Sequence, residues 1–316
     1  FGTPMHNGFT KEVDHDRFVV ELMKNGEVVE SPADVSQLTR AYTSEALEFL
    51  QKHQNKPFFL LLSHNMPHVP LGVSDDFRES SSRGLYGDAI AELDWSVGRV
   101  LSELKRLNLE NNTLVVFTSD NGPEVRAELG EDVGEAAPLR GGKYSNWEGG
   151  VRVPAIMRWP GKISAGLVSN EIVSIMDLFP TLAKLSGGKI PEGLIIDGIN
   201  IAPLLLDDSH SFQPRRSYFY YSLSTLQAVR SGDWKLVLPR GKGSARLLWL
   251  DKYTDSVDEA LLFNLRRDVG ENQNLAVEEP EILGSLMDEV TKARQELGDY
   301  DSIGLGSRFF DEGPPR

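Results

Sequence analysis

Residues 113–123, with the sequence TLVVFTSDNGP, decide the predicted fold. The apolar run at 114–117 is rich in β-branched and aromatic residues, so it predicts a strand buried on both faces. Asp, Asn, Gly and Pro follow directly, and these residues end strands and begin loops. Open α/β sheets bind ligands at the carboxyl ends of their strands, so this loop is a candidate functional site.

Asp120 and Asn121 are the polar side chains that this loop offers. Carboxylate and amide oxygens suit Ca²⁺ or Mg²⁺ rather than Zn²⁺. The same residue types also stabilise tight turns. Taken alone, the segment favours a turn, and only the motifs elsewhere in the chain favour a metal site.

Composition limits the classes of function. The 316 residues are 40% hydrophobic and 25% charged, which is typical of a globular protein with one large domain, or one large and one small. A net charge of -14 predicts no nucleic-acid partner and no anionic membrane surface, although a local basic pocket could still bind an anion. Cysteine is absent, which excludes disulfides, thiolate zinc sites and a cysteine nucleophile within these residues. No apolar run is long enough to predict a membrane span.

Residues 40–120 carry alternating helix and strand patterns, and a hairpin pattern precedes them. Asn25-Gly26 predicts a hairpin between two short strands. Helical periodicity begins at Ser36 and again covers residues 86–107, while residues 58–62 predict a second buried strand. This alternation is typical of a largely parallel sheet covered by helices.

A strand at 151–159 and a helix at 172–185 come next, and Pro180 predicts a kink or break near Phe179. The pattern changes after Arg215. Five strand patterns then predict an antiparallel sheet, at residues 218–221, 226–230, 234–238, 246–250 and 261–265. A last helix is predicted over 280–297. The predicted fold is therefore α/β, a largely parallel sheet flanked by helices (1–212), with a small C-terminal antiparallel sheet and helix (213–316).

His68 is a second candidate site residue. It follows the predicted strand at 58–62, in a loop restrained by Pro67 and Pro70. A single histidine is more often structural, but this one is predicted to lie at the ligand-binding edge of the sheet. His64, four residues earlier, is not predicted to pair with it in binding a metal, because Pro67 makes this segment a loop.

Two glycine-rich loops complete the set of candidates. Residues 139–143, LRGGK, bring a glycine pair, which lets backbone approach a ligand, next to Lys143, a point charge for an oxyanion. In residues 148–154, EGGVRVP, we interpret Glu148 and Arg152 as a structural pair. A hard cation, an ammonium and an imidazole together suit hydrolysis of an oxyanion ester.

In their order along the chain, these motifs resemble those of the sulfatase family of the alkaline-phosphatase superfamily. The resemblance rests on Pro67-His68-Val69-Pro70, Thr118-Ser119-Asp120-Asn121-Gly122, Leu139-Arg140-Gly141-Gly142-Lys143, Glu148-Gly149-Gly150-Val151-Arg152-Val153-Pro154, Asp177-Leu178-Phe179-Pro180-Thr181-Leu182 and Arg230-Ser231-Gly232-Asp233-Trp234-Lys235-Leu236. It implies that Asp120 and Asn121 are calcium ligands, with magnesium as the alternative ion. It also implies that Lys143 contacts the sulfate and that His68 lies on the leaving-group side. His6, in an N-terminal loop, is a further candidate for substrate binding.

The resemblance also implies a formylglycine nucleophile, made from Cys or Ser in a Cys-x-Pro-x-Arg stretch, and an N-terminal Asp pair on the calcium. The 316 residues contain neither feature. The expectation is therefore the C-terminal part of a longer, exported (periplasmic or secreted) sulfatase, inactive alone and weak in calcium binding.

The expected activity of the full-length parent is calcium-dependent, arylsulfatase-like hydrolysis of a sulfate ester on a small molecule or glycan. Two alternatives stay open. One is a phosphodiester or phosphonate-ester hydrolase of the same superfamily. The other is a noncatalytic binding protein on this scaffold.

Overall fold

The computed structural model describes residues 1–3, 19–125, 133–206, 209–241 and 255–307. The chain forms two compact units that alternate along the sequence. The first comprises Phe1–Val116, Glu124–Glu135 and Met157–Gly161, and the second comprises Phe117–Pro123, Ala136–Ile156 and Lys162–Arg316. The predicted domain boundary after residue 212 stays a prediction. Within the described ranges, no helix has the length and apolarity needed to cross a membrane.

The first unit begins with the predicted hairpin. Strands β1 (Leu22–Lys24) and β2 (Glu27–Glu30) pair antiparallel. Asn25 (φ 55°) and Gly26 (φ 87°) connect them in the left-handed region. Tight hairpin turns require positive φ at both central positions, and Asn-Gly meets this requirement at low cost. The predicted hairpin is therefore confirmed.

Two long helices form most of this unit, α1 (Leu38–His53) and α2 (Gly84–Arg106). Thr43 of α1 and Ser96 of α2 share a buried hydrogen bond of 2.6 Å. Around them lies an apolar core of Val20, Leu22, Ala33, Val35, Leu38, Tyr42, Met66, Val73 and Ala89. Both predicted helices are confirmed. Their apolar residues recur at helical spacing, so each helix has one apolar stripe to bury in the core.

Residues 58–62 correct one prediction. The segment belongs to no strand that the described residues form. Phe58 and Leu60 are partly buried, whereas Phe59 is 72% and Leu61 74% exposed. The predicted buried strand is therefore wrong. An apolar run shows that a segment suits burial, but burial of both faces requires neighbours on both sides, and the described residues cover only one.

The strand predicted at 114–117 is present as β3 (Val115–Thr118), which pairs with β4 (Ala155–Arg158) in a two-stranded sheet. Its burial on both faces was predicted wrongly, since its residues are at most partly buried and Phe117 is 41% exposed. The larger parallel sheet of the predicted fold stays a prediction.

In the second unit, Pro180 lies in the first turn of a helix. Helix α4 (Leu178–Leu185) follows a 3₁₀ turn at Ile175–Asp177. Pro180 therefore lies in the first turn, where a backbone N–H has no partner within the helix and a proline is tolerated. The helix predicted over 172–185 is therefore shorter, and Pro180 lies near its start rather than at a kink or break within it. Two one-turn helices of this unit are α3 (Glu148–Val151) and α5 (Ala202–Leu205).

The C-terminal part of the second unit is an antiparallel sheet in the order β5-β6-β7-β8. Its strands are β5 (Tyr218–Ser222), β6 (Thr225–Ser231), β7 (Trp234–Val237) and β8 (Leu261–Asn264). Helix α6 (Pro280–Glu296) packs on it through Leu286, Val290 and Ala293. The short strands β9 (Gly298–Asp299) and β10 (Ser302–Ile303) follow. The predicted sheet and helix are confirmed, while the strand predicted at 246–250 lies outside the described residues.

Candidate active site

The loop after β3 carries Asp120 and Asn121 in a tight turn. The exposed Asp120 accepts the backbone N–H of Asn121 at Oδ1 (2.9 Å). The Asn121 Nδ2 donates to the carbonyl of Gly122 (2.9 Å), and the Ser119 hydroxyl donates to the carbonyl of Asn121 (3.0 Å). These hydrogen bonds restrain the turn that the sequence predicts for this segment. They therefore also restrain the backbone that carries the Asp120 and Asn121 side chains.

The loop from Arg140 to Gly150, here called the lysine loop, is closed on itself. The amide and the hydroxyl of Ser145 both donate to the carbonyl of Gly142, at 3.1 and 2.7 Å. The amide of Gly149 donates to the carbonyl of Arg140 (2.7 Å). A side chain on Gly150 would lie 2.1 Å from the carbonyl oxygen of Ser145, so the loop has no room for one. The lysine loop therefore behaves as one rigid piece.

Lys143 lies partly buried in the lysine loop, with its Nζ 5.3 Å from the ring centre of Tyr144. Two backbone hydrogen bonds join this loop to the Asp120 loop. The amide of Lys143 donates to the carbonyl of Pro123 (2.8 Å), and the amide of Gly122 donates to the carbonyl of Gly150 (2.9 Å). The structure therefore brings the loops of Asp120, Asn121 and Lys143 together within the second unit.

The two histidine candidates have different outcomes. His68 belongs to the first unit and is partly buried. Its Nδ1–H donates to the carbonyl of Val69 (2.6 Å), which restrains the orientation of the ring. The predicted convergence of His68 with the other candidates stays a prediction. His6 lies outside the described residues.

Glu148, at the end of the lysine loop, has partners that the sequence analysis missed. Arg152, its predicted partner, lies 3.8 Å away. Lys235 of β7 is closer at 3.0 Å, and Arg230 of β6 lies at 3.2 Å. The hydroxyl of Tyr220 on β5 donates to Glu148 Oε1 (3.2 Å). One sequence signal pointed here, because Lys235 stands between Trp234 and Leu236 in an otherwise apolar strand.

Comparison with known proteins shows the family. Residues 4–188 match the family described as Sulfatase, and residues 213–303 match the C-terminal region of aryl-sulfatase. This chain belongs to the sulfatase family. It is 38% identical over 298 residues to human steryl-sulfatase, an alignment that covers 88% of this chain and 50% of the relative. The chain spans about half the length of the curated relatives it matches. The family resemblance read from the motifs is confirmed.

Solved structures place this sulfatase chain in the same fold. One is a Bacteroides thetaiotaomicron sulfatase studied for the metabolism of multiple glycosaminoglycans. It aligns with a TM-score of 0.73 at 28% identity, covering 87% of this chain and 60% of that one. A phosphonate monoester hydrolase from Silicibacter pomeroyi aligns with a TM-score of 0.60 at 19% identity, covering 95% and 69%. That second likeness concerns the fold alone.

The calcium ion that the resemblance implies for sulfatases can be tested against the donors present. Asp120 and Asn121 offer oxygens of the right kind, since Ca²⁺ prefers carboxylates and amide carbonyls. They do not provide enough of them, because Ca²⁺ usually takes about six to eight oxygen ligands. Among the described residues, no group of three or more His, Asp or Glu is arranged to hold a metal. Asp120 and Asn121 therefore fit only part of the coordination shell of a calcium ion.

Glu148 should give this sulfatase chain a pH-dependent contribution to stability. Burial would raise the pKa of Glu148, but the charges of Lys235 and Arg230 outweigh burial and hold the pKa below its ordinary value of 4.5. A carboxyl with a lowered folded-state pKa stabilises the fold above its unfolded pKa, and this stability is lost as pH falls through the folded pKa.

We therefore expect Glu148→Gln to lower the melting temperature most at pH 7. The difference from the wild type should shrink as the pH falls below 4.5, the ordinary pKa of a glutamate side chain. Thermal melts of both proteins between neutral and acid pH measure the difference. Glu192→Gln, at an exposed position of the same unit, is the control and should change little. A Glu148→Gln effect that is constant down to acid pH would contradict the assignment.

Proposed function

We propose that this chain supplies the calcium-binding Asp-Asn loop and the sulfate-binding lysine loop to the active site of an arylsulfatase-like sulfuric ester hydrolase. One observation carries the proposal. The Lys143 amide donates to the Pro123 carbonyl and the Gly122 amide donates to the Gly150 carbonyl, so the loop of the proposed anion-binding lysine is joined to the loop that carries the two proposed calcium ligands. Membership of the sulfatase family supports sulfate rather than another oxyanion.

Each residue has a distinct proposed role. Calcium held by Asp120 and Asn121 would neutralise charge on the nonbridging sulfate oxygens. The Lys143 ammonium binds the sulfate and stabilises charge that develops on the leaving oxygen. His68 donates a proton or a hydrogen bond to that leaving oxygen. Because Nδ1–H donates to the carbonyl of Val69, Nε2 is the ring nitrogen that we propose for this task.

The nucleophile is proposed to come from outside these 316 residues. The chain contains no cysteine and no Ser-x-Pro-x-Arg stretch from which a formylglycine could be made. We therefore expect the 316-residue chain by itself to hydrolyse no sulfate ester.

The substrate is proposed as a sulfated small molecule or a sulfated glycan. The two similar proteins described above differ on this point, since one is named a steryl-sulfatase and the other was studied for glycosaminoglycan metabolism. A chromogenic aryl sulfate is therefore the appropriate first probe, because it asks only whether a sulfate ester is cleaved.

The test uses the product of the intact open reading frame that contains these residues. We expect it to hydrolyse p-nitrophenyl sulfate, to lose this activity with EGTA and to regain it with Ca²⁺. Bis(p-nitrophenyl) phosphate and a p-nitrophenyl phosphonate ester serve as competing substrates. Faster turnover of either competitor would favour the phosphodiester or phosphonate alternative, and no turnover of any ester would favour a binding protein. The 316-residue chain, assayed in parallel, should be inactive.

A further inference from the structure

A cluster of buried charges lies outside the proposed site. It comprises Lys235, Glu148, Glu271 and Arg230, here called the charge cluster. The side chains of Lys235 and Glu271 are 0% exposed and that of Glu148 is 1% exposed. Charged residues are almost never fully buried unless they are paired. The cluster contains two cations and two carboxylates, so its formal charges balance.

Lys235 stands at the centre of the charge cluster. Its Nζ donates to Glu148 Oε1 (3.0 Å) and to the backbone carbonyl of Asn146 (2.8 Å). It also lies 2.9 Å from Glu271 Oε1, in an ion pair whose angles fall outside hydrogen-bond geometry. The other oxygen of Glu271 accepts the amide of Glu148 (2.7 Å). Of the three oxygen groups around the Lys235 ammonium, two therefore belong to the lysine loop, the Asn146 carbonyl and the Glu148 carboxylate.

The cluster binds the lysine loop at Asn146 and Glu148, and the same loop carries Lys143. The loop is closed by the Ser145–Gly142 and Gly149–Arg140 bonds, so its two ends move together. The amide of Lys143 in turn holds Pro123, next to the Asp120 loop. A displacement at Asn146 or Glu148 is therefore transmitted to Lys143 and to the backbone beside Asp120.

Stability alone is a weak reason for such a cluster. Buried ion pairs can often be replaced by apolar side chains with no loss of stability, because desolvation offsets their attraction. A buried charge instead favours a single arrangement of the groups that pair with it. Here those groups are the Asn146 carbonyl and the Glu148 carboxylate of the lysine loop. Fixed geometry matters most where a binding group must be placed to within a fraction of an ångström.

We propose that Lys235 of β7 is a positioning residue for the proposed sulfate-ester site, acting on Lys143 through Asn146 and Glu148. The proposal rests on the proposed function. It gives the C-terminal sheet a role in the reaction. Strand β7 lies in the residues that match the C-terminal region of aryl-sulfatase, whereas the lysine loop lies in the residues that match the Sulfatase family.

The test compares Lys235→Met, which removes the charge but keeps the length, with Lys292→Met. Lys292 is an exposed lysine on α6 of the same unit that pairs with the buried Glu289, so it serves as a control for loss of a paired lysine outside the lysine loop. The first measurement is amide hydrogen exchange below the melting temperature. We expect faster exchange in peptides covering residues 140–150 and Gly122 for Lys235→Met, and no change there for Lys292→Met.

The second measurement is turnover of p-nitrophenyl sulfate by the intact gene product. A misplaced Lys143 should lower kcat/KM by about 10²-fold, a loss comparable with that caused by small displacements of catalytic groups. The pH profile should also change. Without Lys235 the two carboxylates repel each other and their pKa values rise, so activity should be better preserved at acid pH than at alkaline pH.

Other charged and titratable groups also face the cluster, and they limit this shift. They are Tyr220 from the sheet, Arg152 after the lysine loop, and Arg140 and Arg240 on the Glu271 side. Lys235→Met/Glu271→Gln restores the balance of charge, with Glu148 still paired to Arg230. We expect this double variant to recover part of the turnover and to lose the altered pH profile.

Three outcomes separate the possibilities. A Lys235→Met protein that melts earlier but keeps wild-type loop exchange, kcat/KM and pH profile would overturn the proposal, since its role would then be stability alone. If Lys235→Met does not fold, Glu148→Gln, which weakens the bond between Lys235 and the lysine loop but leaves Lys235 in place, should still loosen the same peptides, and unchanged exchange there would overturn the proposal. If the wild-type protein cleaves no sulfate ester, the proposed function fails, while the exchange measurement still decides whether Lys235 holds the lysine loop.

Discussion

Replacement of Lys143 by alanine is expected to lower kcat/KM for p-nitrophenyl sulfate by about 10²- to 10³-fold in the intact gene product, the range seen when one charge-stabilising donor is lost. The backbone N–H of residue 143, which binds the Pro123 carbonyl, is retained in alanine. The substitution therefore removes the ammonium and leaves the junction between the two loops. The melting temperature should stay close to that of the wild type.

Two further variants test whether the loss is caused by removal of the Lys143 charge. Lys162→Ala removes an exposed lysine of the same unit and should leave turnover unchanged. Lys143→Arg keeps the charge but changes its shape and reach, so it should restore only part of the activity. Wild-type turnover in Lys143→Ala would remove Lys143 from the site.

Gly122→Ala is expected to destabilise the second unit by about 3 kcal/mol or more, beyond the ordinary cost of overpacking. An added Cβ would lie 1.8 Å from the carbonyl oxygen of Gly149, a backbone atom that cannot turn away as a side chain could. The Asp120 loop and the lysine loop would have to separate, which breaks the Gly122–Gly150 bond. Urea unfolding followed by circular dichroism measures the loss.

Gly284→Ala is the matched control for this substitution. Gly284 lies exposed in α6 of the same unit, and a Cβ there would meet no atom within 4 Å. Alanine in a helix interior should therefore stabilise by about 0.5–1 kcal/mol. Equal destabilisation by both substitutions would show that the close contact at Gly122 is not the cause.

Local patterns predicted the helices and the hairpin well. Helices α1, α2 and α6 each repeat apolar residues at helical spacing, and that spacing is a property of the segment itself. Asn25-Gly26 likewise determines its own turn. The burial of residues 58–62 and of β3 was predicted wrongly because burial depends on what packs against a segment, and a single run of residues does not contain that information.

The candidate site shows the same limit. Motifs singled out Asp120, Asn121 and Lys143 from their residue types, but the two backbone bonds that join their loops are a matter of tertiary structure. The predicted pair of Glu148 with Arg152 is present at 3.8 Å, but the closer partners of Glu148 were missed. Its main partner, Lys235, lies 87 residues further along the chain, beyond the reach of local spacing.

The charge cluster has a consequence for recombining sulfatase genes. Glu148 lies in the stretch that matches Sulfatase, and Lys235 lies in the stretch that matches the C-terminal region of aryl-sulfatase. A chimera with its crossover between residues 188 and 213 would inherit the carboxylate from one parent and the cation from the other. If both parents have this lysine and this glutamate, the chimera should keep the ion pair. If one parent lacks its member, the chimera would contain a buried charge without its counter-ion.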